Sequence, residues 1–299
     1  VGSVLHTRKK DSIQRGEHYP RLYGAQPLSK HDERNRAVVC GYAGQAYRGI
    51  SEMKTVVLEQ NEIYTGSLIL VNAEYPLRST PTDLAPAVTG FADISMERCA
   101  AEQLQLILDK IGAGNMISPV SGYRSKAEQT AIYENSMKEN GDDFTQKYVA
   151  LPDHSEHQTG LAIDLALNTD NIDFIRPDFP YSGICEEFRK AAPEFGFIER
   201  YPSGKENITG IAHEPWHFRY VGFPHSMIIA EKEFTLEEYT EYIKTFRQEC
   251  SLRYSHKRIA AEIFYAPAET EISVNNAVCQ VSGNNTDGFV VTLWGYKNA

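Results

Sequence analysis

The hydrophobic positions of this chain change period several times, and each change marks an element. Ala100, Leu104, Ile107, Leu108 and Ile111 recur at helical spacing, which predicts an amphipathic helix with Ser95 as its cap and Gly112 and Gly114 as its stop. Ahead of it, Glu62-Ile-Tyr-Thr-Gly-Ser-Leu-Ile-Leu-Val-Asn72 reads as strand. Ser125-Lys-Ala-Glu128 has the form of a capping box and predicts a helix running to Asn140-Gly141. Leu161, Ile163, Leu165 and Leu167 alternate with Ala162, Asp164 and Ala166, the pattern of a half-buried strand after a turn at Gly160. Gly183 to Ala192 predicts a short helix ended by Pro193. Trp216, Phe218 and Tyr220 alternate with His217, Arg219 and Val221, again a strand. Thr235-Leu-Glu-Glu238 is a second capping box, opening a helix to about Gln248, and Ala277 to Val281 with Phe289 to Trp294 form a predicted hairpin. Residues 1 to 58 are polar and turn-rich, with loops such as Gly41-Tyr-Ala-Gly44, and predict an irregular region. Strands and helices mix without β-α-β alternation, so the fold class is α+β.

Composition narrows the partners. With 299 residues, 41% of them hydrophobic, the chain can bury one large core or two smaller ones, and 23% charged residues make it an ordinary globular protein. A formal charge of −10, with no basic run longer than Arg8-Lys9-Lys10, excludes nucleic acid as an expected partner. No apolar stretch reaches the ~20 residues of a membrane span, and the start at Val1 leaves room for an upstream signal or anchor. The cysteines (Cys40, Cys99, Cys185, Cys250 and Cys279) form no C-x-x-C pair, which argues against a cysteine zinc cluster or a redox motif and leaves any disulfide unreadable.

The candidate chemistry begins with His213-Glu-Pro-Trp-His217, which fits the H-E-x-x-H pattern of zinc proteases. In that pattern both histidines bind metal from one helical face, but Pro215 removes a helical hydrogen bond and pushes Glu214 towards extended backbone. His217 then projects from a strand, with Glu214 in the extended turn before it. A second unusual position is Asp164, a mid-strand carboxylate flanked by alanines on its own face, which needs a partner or a metal. His157 can swing to the same side across the Gly160 turn, giving with His217 a His-Asp-His set and an open fourth position for water. Spacing alone leaves a second reading open, in which Asp164 pairs with Arg124 or Arg219 and the histidines are structural.

Ser155-x-His157-x-x-Gly160-x-Ala162-x-Asp164 followed by Glu214-x-x-His217 resembles the paired signature of the LAS metallopeptidases, which include D-Ala-D-Ala carboxypeptidases of the VanY and VanXY type. Every signature position matches, and Ser121-Gly-Tyr-Arg-Ser125 with Gln129 resembles the substrate-binding segment of that family. The resemblance covers roughly residues 60 to 230. It implies a small antiparallel sheet flanked by helices, as in the hedgehog-like metallopeptidase core. It further implies zinc held by His157, Asp164 and His217, with Glu214 as general base and His213 a bystander. Zinc lowers the pKa of bound water to ~7, so that a nearby carboxylate can take its proton during attack on an amide. Arg124 is expected either to stabilise the oxyanion or to clamp a terminal carboxylate, and Ser155 and Gln129 to hydrogen-bond substrate. Trp216 and Tyr220 are expected in the core.

The implied activity is a zinc-dependent D,D-carboxypeptidase acting on D-Ala-D-Ala-terminated peptidoglycan peptides, extracellular or associated with the bacterial cell envelope. A peptidoglycan endopeptidase and a non-catalytic zinc-containing wall-binding protein are the alternatives, the second weakened by the presence of Glu214. The expected organisation is an irregular segment 1–58, a catalytic domain 59–232 and a helix-plus-hairpin subdomain 233–299.

Overall fold

A computed structural model of the protein describes residues 53–275 and 278–296. The strand β1 (Met53–Leu58) is followed by a 3-10 turn at Gln60–Tyr64 and two short strands, β2 (Leu84–Pro86) and β3 (Ser95–Glu97). Then come α1 (Arg98–Ile111), β4 (Ile117–Ser121), α2 (Lys126–Asn140), α3 (Asp142–Tyr148) and β5 (Ala162–Leu167). Next are α4 (Gly183–Ala191), β6 (Phe197–Tyr201), the single turn α5 (Glu206–Thr209), β7 (Glu214–Tyr220) and α6 (His225–Lys232). α7 (Leu236–Ile243) leads to β8 (Leu252–His256), β9 (Ile259–Pro267), β10 (Thr270–Asn275), β11 (Val278–Gly283) and β12 (Gly288–Tyr296).

Two antiparallel four-stranded sheets dominate, in orders β4-β5-β7-β6 and β11-β12-β9-β8, with smaller pairs β1-β10 and β2-β3. The α+β expectation, a small antiparallel sheet flanked by helices, holds. The alternations read from the sequence set what each face buries. Ile163 and Leu165 of β5, with Trp216, Phe218 and Tyr220 of β7, pack on Leu104, Ile107 and Leu108 of α1 and Phe188 of α4. Complete burial of such side chains contributes roughly 1.5–3 kcal/mol each, and it fixes which way the intervening Asp164, His217 and Arg219 must point. A second cluster joins Ile198, Val221, Ile228, Leu236 and Tyr239 to Ile263, Val290 and Trp294 of the C-terminal sheet.

Both capping boxes form, with Ser125 accepting from Glu128 N and Thr235 from Glu238 N. Gly112 ends α1 in the left-handed conformation, as expected, but the cap at its start is Glu97, which accepts from Ala100 N, because Ser95 is engaged in β3. The helix opened by Thr235 stops at Ile243 and not near Gln248. There the backbone tightens to shorter bonds, Thr245 N to Tyr242 O and Phe246 N to Ile243 O, as Phe246 turns into the core. The strand expected over Glu62–Asn72 does not form. Gly66, at φ 119°, breaks the run. Leu68 to Val71 are buried between layers, and their backbone is satisfied from elsewhere: Leu68 N bonds Ser282 Oγ, Leu70 N bonds Asn284 O, and Arg219 donates to Ile69 O.

The predicted hairpin is β11 and β12, with Ala277 outside the described residues. β1 lies within the stretch expected to be irregular and pairs with β10; the Gly41–Gly44 loop is outside the described residues. Cys99, Cys185, Cys250 and Cys279 are free, and Cys40 is outside the described residues. Among the described residues, no helix is long and apolar enough to cross a membrane.

Candidate active site

Asp164 and His217 stand directly opposite each other in the β5–β7 ladder, which places their side chains on one face. His157 reaches that face from a 3-10 turn, Glu156–Thr159, that ends at Gly160 with φ 73°. A side chain at Gly160 would have neither the backbone conformation nor the room, since a Cβ there would lie 3.1 Å from Glu97 N and 3.2 Å from Leu84 Cδ2. The turn is stitched to the loop after β4 by Arg124 N donating to His157 O at 3.2 Å and by His157 Nδ1 lying 2.7 Å from Gly122 O. Gly122 is required as well: a Cβ would stand 2.3 Å from Ser95 O.

Facing a carbonyl, His157 Nδ1 carries the proton and leaves the Nε2 lone pair towards Asp164 Oδ2, 3.1 Å away. His217 Nδ1 is 2.9 Å from Asp164 Oδ1. The three side chains are buried, and one donor atom from each lies within 4.8 Å of the others. Burial and the Arg124 guanidinium push His157 down, keeping it neutral. Burial opposes the charge on Asp164, but His157 and His217 hold its carboxyl well below the usual range. Two imidazole nitrogens and one carboxylate oxygen, the donor group found among the described residues, suit a divalent cation such as zinc.

Glu214 is the first residue of β7, and its Oε2 lies 3.8 Å from His217 Nδ1. Burial pushes its carboxyl up to about 8, with His217 opposing and Asp164 adding to the rise. Arg124 reaches Asp164 Oδ2 with Nη2 at 3.1 Å, while Nε holds Ser121 Oγ at 2.9 Å and Nη1 holds Gln129 Oε1 at 3.2 Å. The pairing of Arg124 with Asp164 and the gathering of a donor set therefore coexist. Gln129 also has a structural part. It is buried, with its carbonyl accepting from Arg124 and its amide nitrogen donating to Ala150 O, so it steadies Arg124. The Ser155 side chain is buried next to His157 and makes no hydrogen bond among the described residues.

His213 is not part of the set. Its ring stacks on Tyr181, Nε2 sits 2.7 Å from Tyr181 OH, and Glu199 Oε1 is 3.7 Å away. His213 lies just before β7 begins at Glu214. Trp216 and Tyr220 are core residues, as expected. His154, His225 and His256 take no part in the site, and His6, His18 and His31 are outside the described residues.

The sequence reading missed Glu156. Buried between Ser155 and His157, it accepts Arg200 Nε at 2.8 Å and Arg219 Nη1 at 2.7 Å on Oε1. Burial works against its charge, yet the two guanidinium groups hold its carboxyl well below the usual range. The available signal was Arg219, two residues beyond His217 and so on the same strand face.

The sequence profile of the VanY family, described as D-alanyl-D-alanine carboxypeptidase, matches residues 93–223, the stretch that holds the whole donor set. A D-alanyl-D-alanine carboxypeptidase of Enterococcus faecium is 34% identical over 261 residues, 82% of this chain and 80% of that protein. The chain belongs to the VanY family. Another relative is the bifunctional D-Ala-D-Ala dipeptidase and D-Ala-D-Ala carboxypeptidase VanXYC of Enterococcus gallinarum, 42% identical over 186 residues, 61% of this chain and 98% of that protein. A crystal structure of the vancomycin resistance D,D-dipeptidase VanXYg, in complex with a D-Ala-D-Ala phosphinate analogue, superposes with TM-score 0.80 at 60% identity, covering 82% of this chain and 100% of that one. The VanY-type likeness read from the two spaced motifs is thus borne out, and with it the metallopeptidase fold.

Proposed function

We propose that this VanY-family enzyme is a zinc-dependent D,D-carboxypeptidase that removes the last residue of peptidoglycan peptides ending in D-Ala-D-Ala, and that it works outside the cell or in the bacterial cell envelope. The observation that carries the reading is the convergence of His157, Asp164 and His217 within 4.8 Å, with Glu214 3.8 Å from His217. The named activities of the relatives above support the substrate class. Fractionation of bacteria expressing the full gene product tests the location, and recovery in the cytosol alone would overturn it.

Zinc bound at the three donors would supply a Lewis acid and lower the pKa of a water to ~7. The remaining work belongs to the chain. His157 and His217 would each offer a ring nitrogen and Asp164 a carboxylate oxygen; burial opposes charge on His217, but Asp164 and Glu156 push its imidazole up to about 9, so it must give up a proton to bind metal. Burial holds Glu214 up to about 8, and a cation held at these donors would lower it towards neutrality, where a general base is most effective. Glu214 takes a proton from the attacking water as its oxygen bonds to the amide carbon, and returns that proton to the departing nitrogen as the carbon–nitrogen bond breaks. Arg124, fixed by Ser121 and Gln129 beside Asp164, presents a cation to the carbonyl oxygen or to the terminal carboxylate.

A peptide ending in D-Ala-D-Ala and the same peptide with an amidated C-terminus, followed by chromatography of released D-alanine, form the test. The free acid should lose its last residue. The amide should be cut far more slowly, because charge-assisted hydrogen bonds worth ~1.5–3 kcal/mol are gone. Equal cleavage of both, or cleavage at an internal bond with no free D-alanine, would make the chain an endopeptidase.

A further inference from the structure

Two buried polar atoms without a hydrogen bond among the described residues face each other. Glu156 Oε2 and His217 Nε2 are 3.5 Å apart. The rest of Glu156 is fully engaged. Its Oε1 takes both Arg200 and Arg219, Arg219 is anchored to Ser67 O and Ile69 O at 3.0 and 2.9 Å, and Arg200 is held in a two-pronged grip by Glu237 of α7 at 2.9 and 2.6 Å. Asn72 closes the far end, 3.2 Å from Glu237 Oε1. Glu156, Glu237, Arg200 and Arg219 carry two charges of each sign, so the group is neutral without further help. A network built for cohesion alone would point both oxygens of Glu156 at guanidinium groups. One oxygen is instead aimed at the ring nitrogen of a metal-ligand candidate, on the side away from Asp164.

We propose that Glu156 is a positioning residue for the hydrolysis: its Oε2 accepts the Nε2–H of His217, which keeps the Nδ1 lone pair directed at the metal, and the Arg200–Glu237 pair fixes that orientation from α7. The proposal rests on the zinc-peptidase reading given above. A histidine that binds metal through one nitrogen needs its proton on the other, and a carboxylate at that second nitrogen selects the tautomer and stiffens the ring. The Tyr201 ring, 4.9 Å from that of His217, limits rotation from another side. In Glu156→Gln the amide would turn its oxygen to the two arginines and an N–H to His217, favouring the proton on Nδ1, where it blocks the metal. Glu156→Asp keeps the charge but withdraws it from the ring by one methylene.

The test uses the full chain. Wild-type zinc binding and D-alanine release are measured first; a wild type that holds no zinc defeats the zinc-peptidase reading itself. Zinc affinity by competition with a chromophoric chelator, and the visible spectrum of the cobalt-loaded protein, are then compared with both variants well below their melting temperatures. Glu156→Gln should bind zinc about 10–100-fold more weakly, the usual effect of removing such a partner, with a changed cobalt spectrum. Glu156→Asp should fall between it and wild type. A folded Glu156→Gln with wild-type zinc affinity and cobalt spectrum would overturn the proposal while leaving the peptidase reading intact. Should neither variant fold, nitrogen-15 spectra of histidine-labelled, zinc-loaded wild type decide: the proton of His217 belongs on Nε2, and finding it on Nδ1 refutes the idea.

Discussion

The two four-stranded sheets are both antiparallel and both carry an apolar core, yet they differ in the charged groups they bury. The sheet β4-β5-β7-β6 encloses Asp164, His217, Arg219 and Arg200, and against it lie Glu156 and His157, all less than a tenth exposed. The sheet β11-β12-β9-β8 encloses Ile263, Phe264, Phe289, Val290 and Val291, and one of the buried polar groups against it is the neutral His225, bonded to Tyr239 OH at 2.6 Å and Thr292 Oγ1 at 3.1 Å. Removing an ion from water costs several kcal/mol unless partners offset it, whereas apolar burial stabilises at roughly 25 cal/mol per Å². The first sheet is therefore held in a costly arrangement suited to chemistry, and the second contributes cohesion. Variants in the first should change chemistry more than stability, and variants in the second the reverse.

The largest effect expected is at a metal ligand. His157→Ala should abolish zinc retention and activity, while His213→Ala, which touches Tyr181 outside the donor set, should stay near wild type in metal content by elemental analysis. The opposite pattern would restore a helical zincin assignment and dissolve the site described here. Next, Glu214→Gln keeps size and hydrogen bonding but removes the base, so zinc should stay bound while turnover falls by ~10²-fold or more. Equal turnover would show that Glu214 does not move the proton.

A third test sharpens the contrast through pH. Burial pushes His225 down to about 3, so it stays neutral in the folded protein, while the unfolded chain takes up a proton near the ordinary value of 6.5. Its contribution is complete about a unit above pH 6.5 and is lost as pH falls towards 3; between about pH 7.5 and 5 the loss is about 2 kcal/mol. In His225→Gln, urea unfolding should be correspondingly less dependent on pH over that range. An unchanged slope would mean that His225 takes up its proton while folded. The smallest effect is Ile263→Val, which should cost roughly 0.5–1.5 kcal/mol in unfolding experiments and leave kcat unaltered. A changed kcat with the protein fully folded would break the division between the sheets.

What was legible in the sequence follows the same division. His157, Asp164, Glu214 and His217 lie within two short motifs, because a 3-10 turn and two strands place them locally and their alternation shows which face they share. The Glu156–Arg200–Glu237 chain was not legible: its partners lie 44 and 37 residues apart, and no period links them. Gln129 was placed in the right region, but only the fold shows that its amide also meets Arg124 and Ala150 O. Leu68 to Val71 deceived for a physical reason. A short apolar run looks alike whether its backbone joins a ladder or is met by Ser282, Asn284 and Arg219.

The pairing of β1 with β10 has a consequence in time. Met53 meets Asn275 and Leu58 meets Thr270, so the partner of β1 leaves the ribosome roughly two hundred residues later, ~10–40 s at about 5–20 residues per second. Throughout that interval β1 presents a bare row of amides and carbonyls to any other strand in the cell, including the β1 of a neighbouring nascent copy. β1, made well before its partner, is secured late, and yield in dense expression should depend on how well that one edge is guarded until β10 is made.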